Sequence, residues 1–438
     1  MVDAEVEEYW DVIVVGGGPA GYFAAIRCAE IANQAGTPLK VLVIERARRS
    51  LGKVIISGGE RCNVTHACFE PAQLVTYYPR GGTALRGPFS RFQPRDTVNW
   101  FEQRGVALKT EPDGRMFPVS DSSKTIVDCL EDAANRAGVE IWNQVCLLDI
   151  EPCQPVADQP ARFHLHLRLD TQEREALFSA RSVLFASGSE SSCHGLILRL
   201  GHSIEPPVPS LFTFKITDER IDELAGLSVQ HAGLRLEDET GAVKGSIALQ
   251  QGPLLITHWG LSGPAALKLS AWGARWLFER GYQAGLVVNW LQPLSTEKAL
   301  EGLIEYREIP GNNRKKPAAH PVFAQIPIRL WKRLTDAVGI AEQQNWADIS
   351  KPVMRRLAEE LTCGRYRIEG KGIFKDEFVT CGGVRLDEVD FKSMQSRIVP
   401  GLFFAGEVLD IDGLTGGFNF QNAWTTGWLA GGALASQV

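Results

Sequence analysis

The sequence predicts an α/β fold: a parallel sheet of short apolar strands, each running into a turn and a helix, with a β-rich plus helical segment inserted into it. Three stretches carry that expectation. DVIVVGGGPAG (11–21) reads as a strand, a glycine turn and a helix start, and KVLVIE (40–45) reads as a second strand ending in an acid. VPGLFFAGEVLDIDGLTGGFNFQNA (399–423) reads as a further strand, an acidic turn and a glycine turn that opens a helix.

Val12 to Val15 are apolar without a break, the pattern of a strand buried on both faces. Gly16, Gly18 and Gly21 fill the G-x-G-x-x-G positions: tight turn, close backbone approach to a pyrophosphate, and close helix–strand packing. Pro19, followed by Ala20, lacks an N–H and presets φ for a first helical turn, so a helix is expected over 19–35 with Gly36 as its stop. Glu45 follows Gly21 by 24 residues, where a carboxylate accepts from ribose hydroxyls. Strand, helix, strand and terminal acid together make a Rossmann-type dinucleotide site. Arg46, Arg48 and Arg49 raise the question of a 2′-phosphate, but the acid beside them would repel one.

Segment 57–66 packs Ser57, Gly58, Gly59, Arg61, Cys62, Asn63 and Thr65 into ten positions. Such a loop presents backbone and side-chain donors at close range, as a polar ring system requires. Helices are expected within 95–105 and 120–138, with a turn-rich stretch at 110–120 between them. Strand character returns over 138–151, at 161–169 with its alternating pattern, and at 182–189. His164 and His166 lie on the outer face of that alternation and read as surface residues, not metal ligands. A different texture begins near Pro206: short strands over 211–256 with a hairpin loop at 238–243, a strand–turn–helix at 254–272, and helices to about 362. Strand character resumes at 364–374. Arg314, Lys315 and Lys316, in the loop 309–321, read as a solvated tip.

Near the C-terminus, Leu402 to Ala405 are expected to join the sheet of residues 12–15. Gly406 and Glu407 fall at that strand's carboxyl end, Asp410 and Asp412 follow, and Gly416-Gly417 open a helix of about 419–431. A helix start there offers free N–H groups and partial positive charge; aimed at an isoalloxazine, it would favour the anionic reduced flavin, and a purely structural strand–turn–helix is the alternative.

Composition narrows the function. A net charge of −6 over 438 residues gives no global attraction to nucleic acid or to an anionic membrane. No apolar run is long enough to span a bilayer, and the acidic N-terminus resembles neither a signal nor a transit peptide, so a cytoplasmic protein is expected. Nine cysteines without a C-x-x-C pair argue against a zinc site, a disulfide framework and a redox dithiol.

Four stretches, ISGGERCNVT (56–65), THWGLSGPA (257–265), VTCGGV (379–384) and PGLFFAGEVLDIDGLTGGFNFQNA (400–423), resemble in order the FAD-dependent oxidoreductase family that includes aminoacetone oxidase and the bile-acid reductase BaiN, the YhiN-like flavoproteins. The resemblance runs from residue 10 to the C-terminus. It implies an FAD-binding domain in two parts, 1–206 and 376–438, with an inserted domain over 207–375. It implies that Glu45 holds the adenosine ribose and that Lys53, Ser57, Gly58, Arg61, Cys62 and Asn63 lie along the ribityl and pyrophosphate side. Gly417, Phe418 and Asn419 should cap the pyrimidine edge, with Arg46, Gly59, Val145, Gly406, Glu407 and Asp412 also lining the cofactor. Glu60 and His66 depart from a small residue and Asn, and the stretch after Ser187-Gly188 is shorter than in relatives.

The expected activity is hydride transfer through flavin N5 to or from a small organic substrate, with NAD(P)H or O₂ as second redox partner. No nucleic acid or membrane partner is expected, and no side chain stands out as catalytic acid or base. The alternatives are a flavin-dependent tRNA-modifying enzyme and a non-catalytic redox-sensing flavoprotein.

Overall fold

The computed structural model describes residues 6–153, 162–170, 174–238, 241–242, 247, 249–372 and 379–437. The chain divides into two compact units, Met1–Pro207 with Thr380–Val438, and Val208–Val379. Parts of the hairpin loop expected at 238–243 and of the strand expected at 364–374, and the expected boundary at 375/376, lie outside the described residues.

The first unit is organised by β1 (Val6–Val15), α1 (Pro19–Gln34), β2 (Val41–Glu45) and α2 (Gly52–Glu60). Five strands run parallel in the order Leu402–Phe404, Arg174–Phe185, β1, β2, Glu140–Asn143. Val12, Ile13 and Val14 are fully buried, as a strand covered on both faces requires. The chain moves outward from β1 through β2 and then returns to β1's other side with Arg174–Phe185. The carboxyl ends of β1 and that strand therefore form the topological switch point where open α/β sheets take ligands. An antiparallel meander, Val145–Pro152 and Phe163–Leu169, flanks the sheet. Its inward Phe163, Leu165 and Leu167 are fully buried, while His164 and His166 face outward.

Helix α1 and the C-terminal helix Phe418–Ala435 pack at backbone distance. Gly427 and Gly431 make that possible: a Cβ on Gly427 would come within 2.6 Å of the Ala20 carbonyl, and one on Gly431 would strike that of Ala24.

Two expectations are corrected here. The turn-rich stretch 110–120 contains the strand Arg115–Pro118, which pairs with both Leu108–Thr110 and Thr65–His66. The segment expected as a loop from residue 57 begins inside α2, whose helical angles fail at Ser57, Gly58 and Gly59. The helical turn at 52–56 is anchored by Val54 alone, which is fully buried while Ile56 is exposed.

In the second unit an antiparallel sheet runs Gly364–Ile368, Ala284–Asn289, Ser228–Asp238, Gln250–Thr257, Gly260–Ser262. Helices Pro264–Trp272, Thr296–Glu308, Ile328–Ala337 and Lys351–Cys363 complete it around buried Trp290, Trp331 and Trp346. The strand Ala284–Asn289 falls where only helices were expected. Its run Leu286–Val288 is buried without a break, and periodicity cannot separate such a run from a buried helix segment.

Candidate functional site

The site is built at the carboxyl ends of the parallel strands, entirely within the first unit. Gly16 follows β1 with φ of +113°, and a Cβ there would lie 2.5 Å from the Ala186 carbonyl. A Cβ on Gly21 would strike the Gly16 carbonyl. Above Gly18 there is nothing within 4 Å, so the turn faces open space. Helix α1 starts there with no side-chain cap and no acid in its first turn. An uncapped start leaves N–H groups without intrahelical acceptors, and the helix dipole favours an anion there. The donor set and the open space above it fit a diphosphate.

Glu45 stands at the end of β2. Its two carboxylate oxygens accept from the N–H groups of Gly17 (2.8 Å) and Ala47 (2.7 Å), which fixes the side chain beside the turn with lone pairs to spare. Ala47 also accepts from Gln144 N–H (3.1 Å), which brings buried Val145 to this end. Arg46 pairs with Glu190 through two contacts of 3.1 and 2.6 Å, and Lys53 on α2 pairs with Glu407 at 2.5 Å. The Glu407 carboxylate raises the pKa of Lys53, so the ammonium stays charged.

The opposite end is held by side chains. With its amide oriented to suit its neighbours, Asn63 donates to the Thr65 carbonyl and accepts from Gly417 N–H, both at 3.0 Å. Gly417 caps the C-terminal helix at φ +92°, and a Cβ there would come within 2.5 Å of the Thr65 carbonyl oxygen. The Asn419 amide accepts from Gly413 N–H (2.7 Å) and donates to the Gly413 carbonyl (2.9 Å). Gly406 N–H donates to Thr426 (2.9 Å). Phe418 is buried with its carbonyl accepting from Tyr78 (2.6 Å), and its ring stacks on Tyr77 at 4.3 Å and on His66 at 4.7 Å.

Several expected residues are already engaged. Arg61 pairs with Glu111 at 2.7 Å and stacks over Phe117 at 4.0 Å. Asp412 is fully buried and paired to Arg80. Cys62 is fully buried, and burial pushes its thiol up to about 12, so it carries no thiolate near neutrality.

Sequence reasoning missed Tyr77, Arg80 and Gln421. The buried Gln421 carbonyl accepts from Thr65 (2.6 Å) and Thr97 (2.9 Å), anchoring the helix start to two distant segments. No local motif announces such partners. His66 was noticed only as a departure. Burial lowers its pKa, and its Nε2 faces the Asp113 carbonyl at 3.1 Å, leaving buried Nδ1 without a partner.

Residues 10–433 match the HI0933-like protein Rossmann domain. Over 96% of this chain and 97% of its own length, a ribosomal RNA dihydrouridine synthase of Escherichia coli is 30% identical. A 3-dehydro-bile acid delta(4,6)-reductase of Clostridium scindens is 26% identical over 97% of this chain and 98% of its own. The crystal structure of a Rhodococcus jostii 3-ketosteroid-delta4-(5alpha)-dehydrogenase superposes with a TM-score of 0.52 at 16% identity, covering 99% of this chain and 98% of that one; the likeness is one of fold. No helix among the described residues is long and apolar enough to cross a membrane. The chain belongs to the HI0933-like family and is an FAD-dependent oxidoreductase.

Proposed function

We propose that this protein reduces a carbon–carbon double bond conjugated to a carbonyl in a ring substrate, with NAD(P)H as its source of electrons. One observation carries the reading: two relatives that align over nearly the whole chain are both named for that outcome. Dihydrouridine is uridine whose C5–C6 bond, beside the C4 carbonyl, has been saturated. A delta(4,6)-reductase acting on a 3-dehydro bile acid removes unsaturation conjugated to the 3-oxo group.

FAD, when bound, would supply two-electron hydride-transfer chemistry. The chain's own part is to bind and orient. Gly16, Gly18, Pro19, Ala20 and Gly21 form the pyrophosphate turn, and Glu45 accepts from the adenosine ribose, flanked by Arg46 and Val145. Lys53, Ser57, Gly58, Gly59, Arg61, Cys62 and Asn63 run along the ribityl side. Gly406, Glu407, Asp412, Gly417, Phe418 and Asn419 back the ring system. In this reading Arg61, Asp412 and Cys62 act by holding the backbone in place, since their side chains are engaged or buried. The half-buried rings of Tyr77 and His66, packed on buried Phe418, are the aromatic surfaces a planar substrate would meet.

With one fingerprint in the sequence, NAD(P)H is a visiting donor. The test is anaerobic: FAD-loaded protein is mixed with NADH or NADPH, then with 2-cyclohexenone, 4-androstene-3,17-dione or ribosomal RNA, while flavin absorbance is followed. Reoxidation with a product two hydrogens heavier is expected. Reduced protein that reoxidises only with O₂ would overturn the reading.

A further inference from the structure

Two ion pairs of the first unit cross the carboxyl end of its parallel sheet. β1 lies between β2 and the strand Arg174–Phe185. Arg46 follows β2 directly, and Glu190 caps the helix Ser191–Arg199 that follows Phe185. Their two contacts of 3.1 and 2.6 Å therefore pass over the end of β1, where the fingerprint turn lies. Neighbouring strands are about 4.8 Å apart, so the bridge spans roughly 10 Å, within reach of two long side chains. Glu190 also accepts from the Ser192 hydroxyl (3.3 Å), which holds the acid at its helix start.

The second pair brackets the start of α1. On one side, Leu51 N–H donates to the Gly17 carbonyl (2.8 Å), which fastens the entry to α2, and so Lys53, beside the turn. On the other side Gly406 packs on Ala20, in the first turn of α1, where a Cβ would come within 2.9 Å, and Glu407 follows it. Lys53 and Glu407 meet over Gly188, where a Cβ would lie 3.7 Å from the Lys53 Nζ and 3.8 Å from the Glu407 carboxylate.

Neither pair is placed to hold the fold. The Arg46 and Lys53 side chains are 58% and 62% exposed, and exposed pairs contribute little to stability. Buried Asp412, paired to Arg80, is the contrasting case. Each of the two exposed pairs joins residues far apart in sequence, by 144 and 354 positions, across the same crevice. Each cation is also neutralised by its own carboxylate, which leaves the N-terminus of α1 to meet the diphosphate.

We propose that Arg46–Glu190 and Lys53–Glu407 are straps across the cofactor crevice: closed, they retain FAD, and open, they let it enter and leave. Glu190 thereby acts on cofactor exchange without touching the cofactor. The inference holds for any substrate. It rests on the diphosphate placement given above, which Glu45→Ala tests separately.

The experiment uses full-length protein loaded with FAD. Release is read as flavin fluorescence after dilution into an apoflavoprotein trap, and rebinding as fluorescence quenching on mixing FAD with FAD-free protein. Glu190→Gln keeps the shape of the side chain and removes its charge. It should speed release and rebinding alike, by about two- to fivefold, the range an exposed pair commands, so that Kd stays within about twofold. Adding Lys53→Met should speed release by a similar further factor. Arg46→Lys keeps the charge but not the two-pronged contact and should fall between wild type and Glu190→Gln. Wild-type release should quicken with KCl, which screens exposed charges, and Glu190→Gln should lose part of that dependence. Thermal midpoints report whether each variant is folded, and Arg46→Lys carries the test should Glu190→Gln fold poorly. Slower release in Glu190→Gln would mean that the freed Arg46 grips the phosphates, and faster release with unchanged rebinding would make Glu190 a holding contact. Either result, or unchanged rates in both directions, overturns the inference. Unchanged FAD affinity in Glu45→Ala would instead remove the placement on which the straps rest.

Discussion

The two ends of the candidate cofactor site are made in different ways. At the adenosine end, backbone does the holding: Gly16 and Gly21 permit the turn, and Glu45 is clamped by the N–H groups of Gly17 and Ala47. Its glycine turn and its carboxylate fall within a single βαβ unit. At the opposite end, side chains join segments more than 300 residues apart: Asn63 to Gly417, Thr65 to Gln421, Tyr78 to Phe418, Arg80 to Asp412. The first end is a local motif; the second exists only once the chain has closed its sheet with Leu402–Phe404. A substitution at the first should therefore loosen the cofactor. At the second it should loosen the protein as well.

The largest effect is expected at Gly417. Valine there would press a Cβ against the Thr65 backbone and force a β-branched residue to φ +92°. Strained φ of this kind costs about 1–3 kcal/mol before any clash is counted. Gly417→Val should lower the thermal midpoint and strip FAD together. A variant that keeps the wild-type midpoint but loses FAD would break the comparison, because the second end would then be no more structural than the first.

Glu45→Ala comes next. It removes a charge-assisted acceptor worth roughly 1.5–3 kcal/mol, so FAD affinity should fall about tenfold or more. The thermal midpoint of FAD-free protein should move less than in Gly417→Val, since the freed Ala47 N–H is exposed and only the Gly17 N–H is left in a buried position. Equilibrium dialysis gives the first quantity and a thermal melt the second. An unchanged FAD affinity would show that this carboxylate does not hold the ribose.

The same contrast explains what was legible in the sequence. β1, α1, β2 and the C-terminal strand and helix could be read because each rests on local pattern: an unbroken apolar run, a glycine at a fixed offset, a proline at a helix start. Asn63 and Gly417 could be singled out as polar or glycine residues in conspicuous loops. That one bonds the other could not, because the partner is set by tertiary closure. Arg80 illustrates the limit. Nothing near TYYPRGG (76–82) signals that its guanidinium will meet a carboxylate 332 residues away. The strand Ala284–Asn289 was hidden for another reason, since its buried run Leu286–Val288 carries no alternation to betray it.

A further long-range tie sharpens the comparison through pH. His202 is buried, with Nδ1 2.9 Å from Glu388 and Nε2 2.8 Å from Ser396. Burial lowers its pKa from 6.5 despite the opposing pull of Glu388. The unfolded chain therefore binds the proton first, and stability present above pH 6.5 is lost as pH falls from there towards the lowered folded value. Denaturation midpoints should decline below about pH 6.5, and less steeply in His202→Gln. His66 and His194 have pKa values lowered by burial too, so the slope should shrink without vanishing. A His202→Gln profile parallel to wild type would mean that this tie does not couple to protonation.

The smallest effect is expected at Cys62, which lies between Arg61 and Asn63 and so occupies the most suggestive position in the loop. Its thiol is fully buried and pushed up to about 12 by that burial, and its φ of +60° marks a backbone held by its surroundings. A thiol that stays protonated is neither a nucleophile nor a redox partner. Cys62→Ser swaps sulfur for oxygen in a site where Ser57 is the neighbouring polar group, so packing changes little. FAD content, the rate of flavin reduction by NAD(P)H and the rate of reoxidation by substrate should all stay within about twofold of wild type. Thiol titration of native protein at pH 8 should leave Cys62 unmodified, and denaturant should expose it. If Cys62→Ser binds FAD normally yet cannot be reoxidised by a substrate that reoxidises wild type, the thiol takes part in the chemistry. The second end of the site would then be catalytic as well as structural.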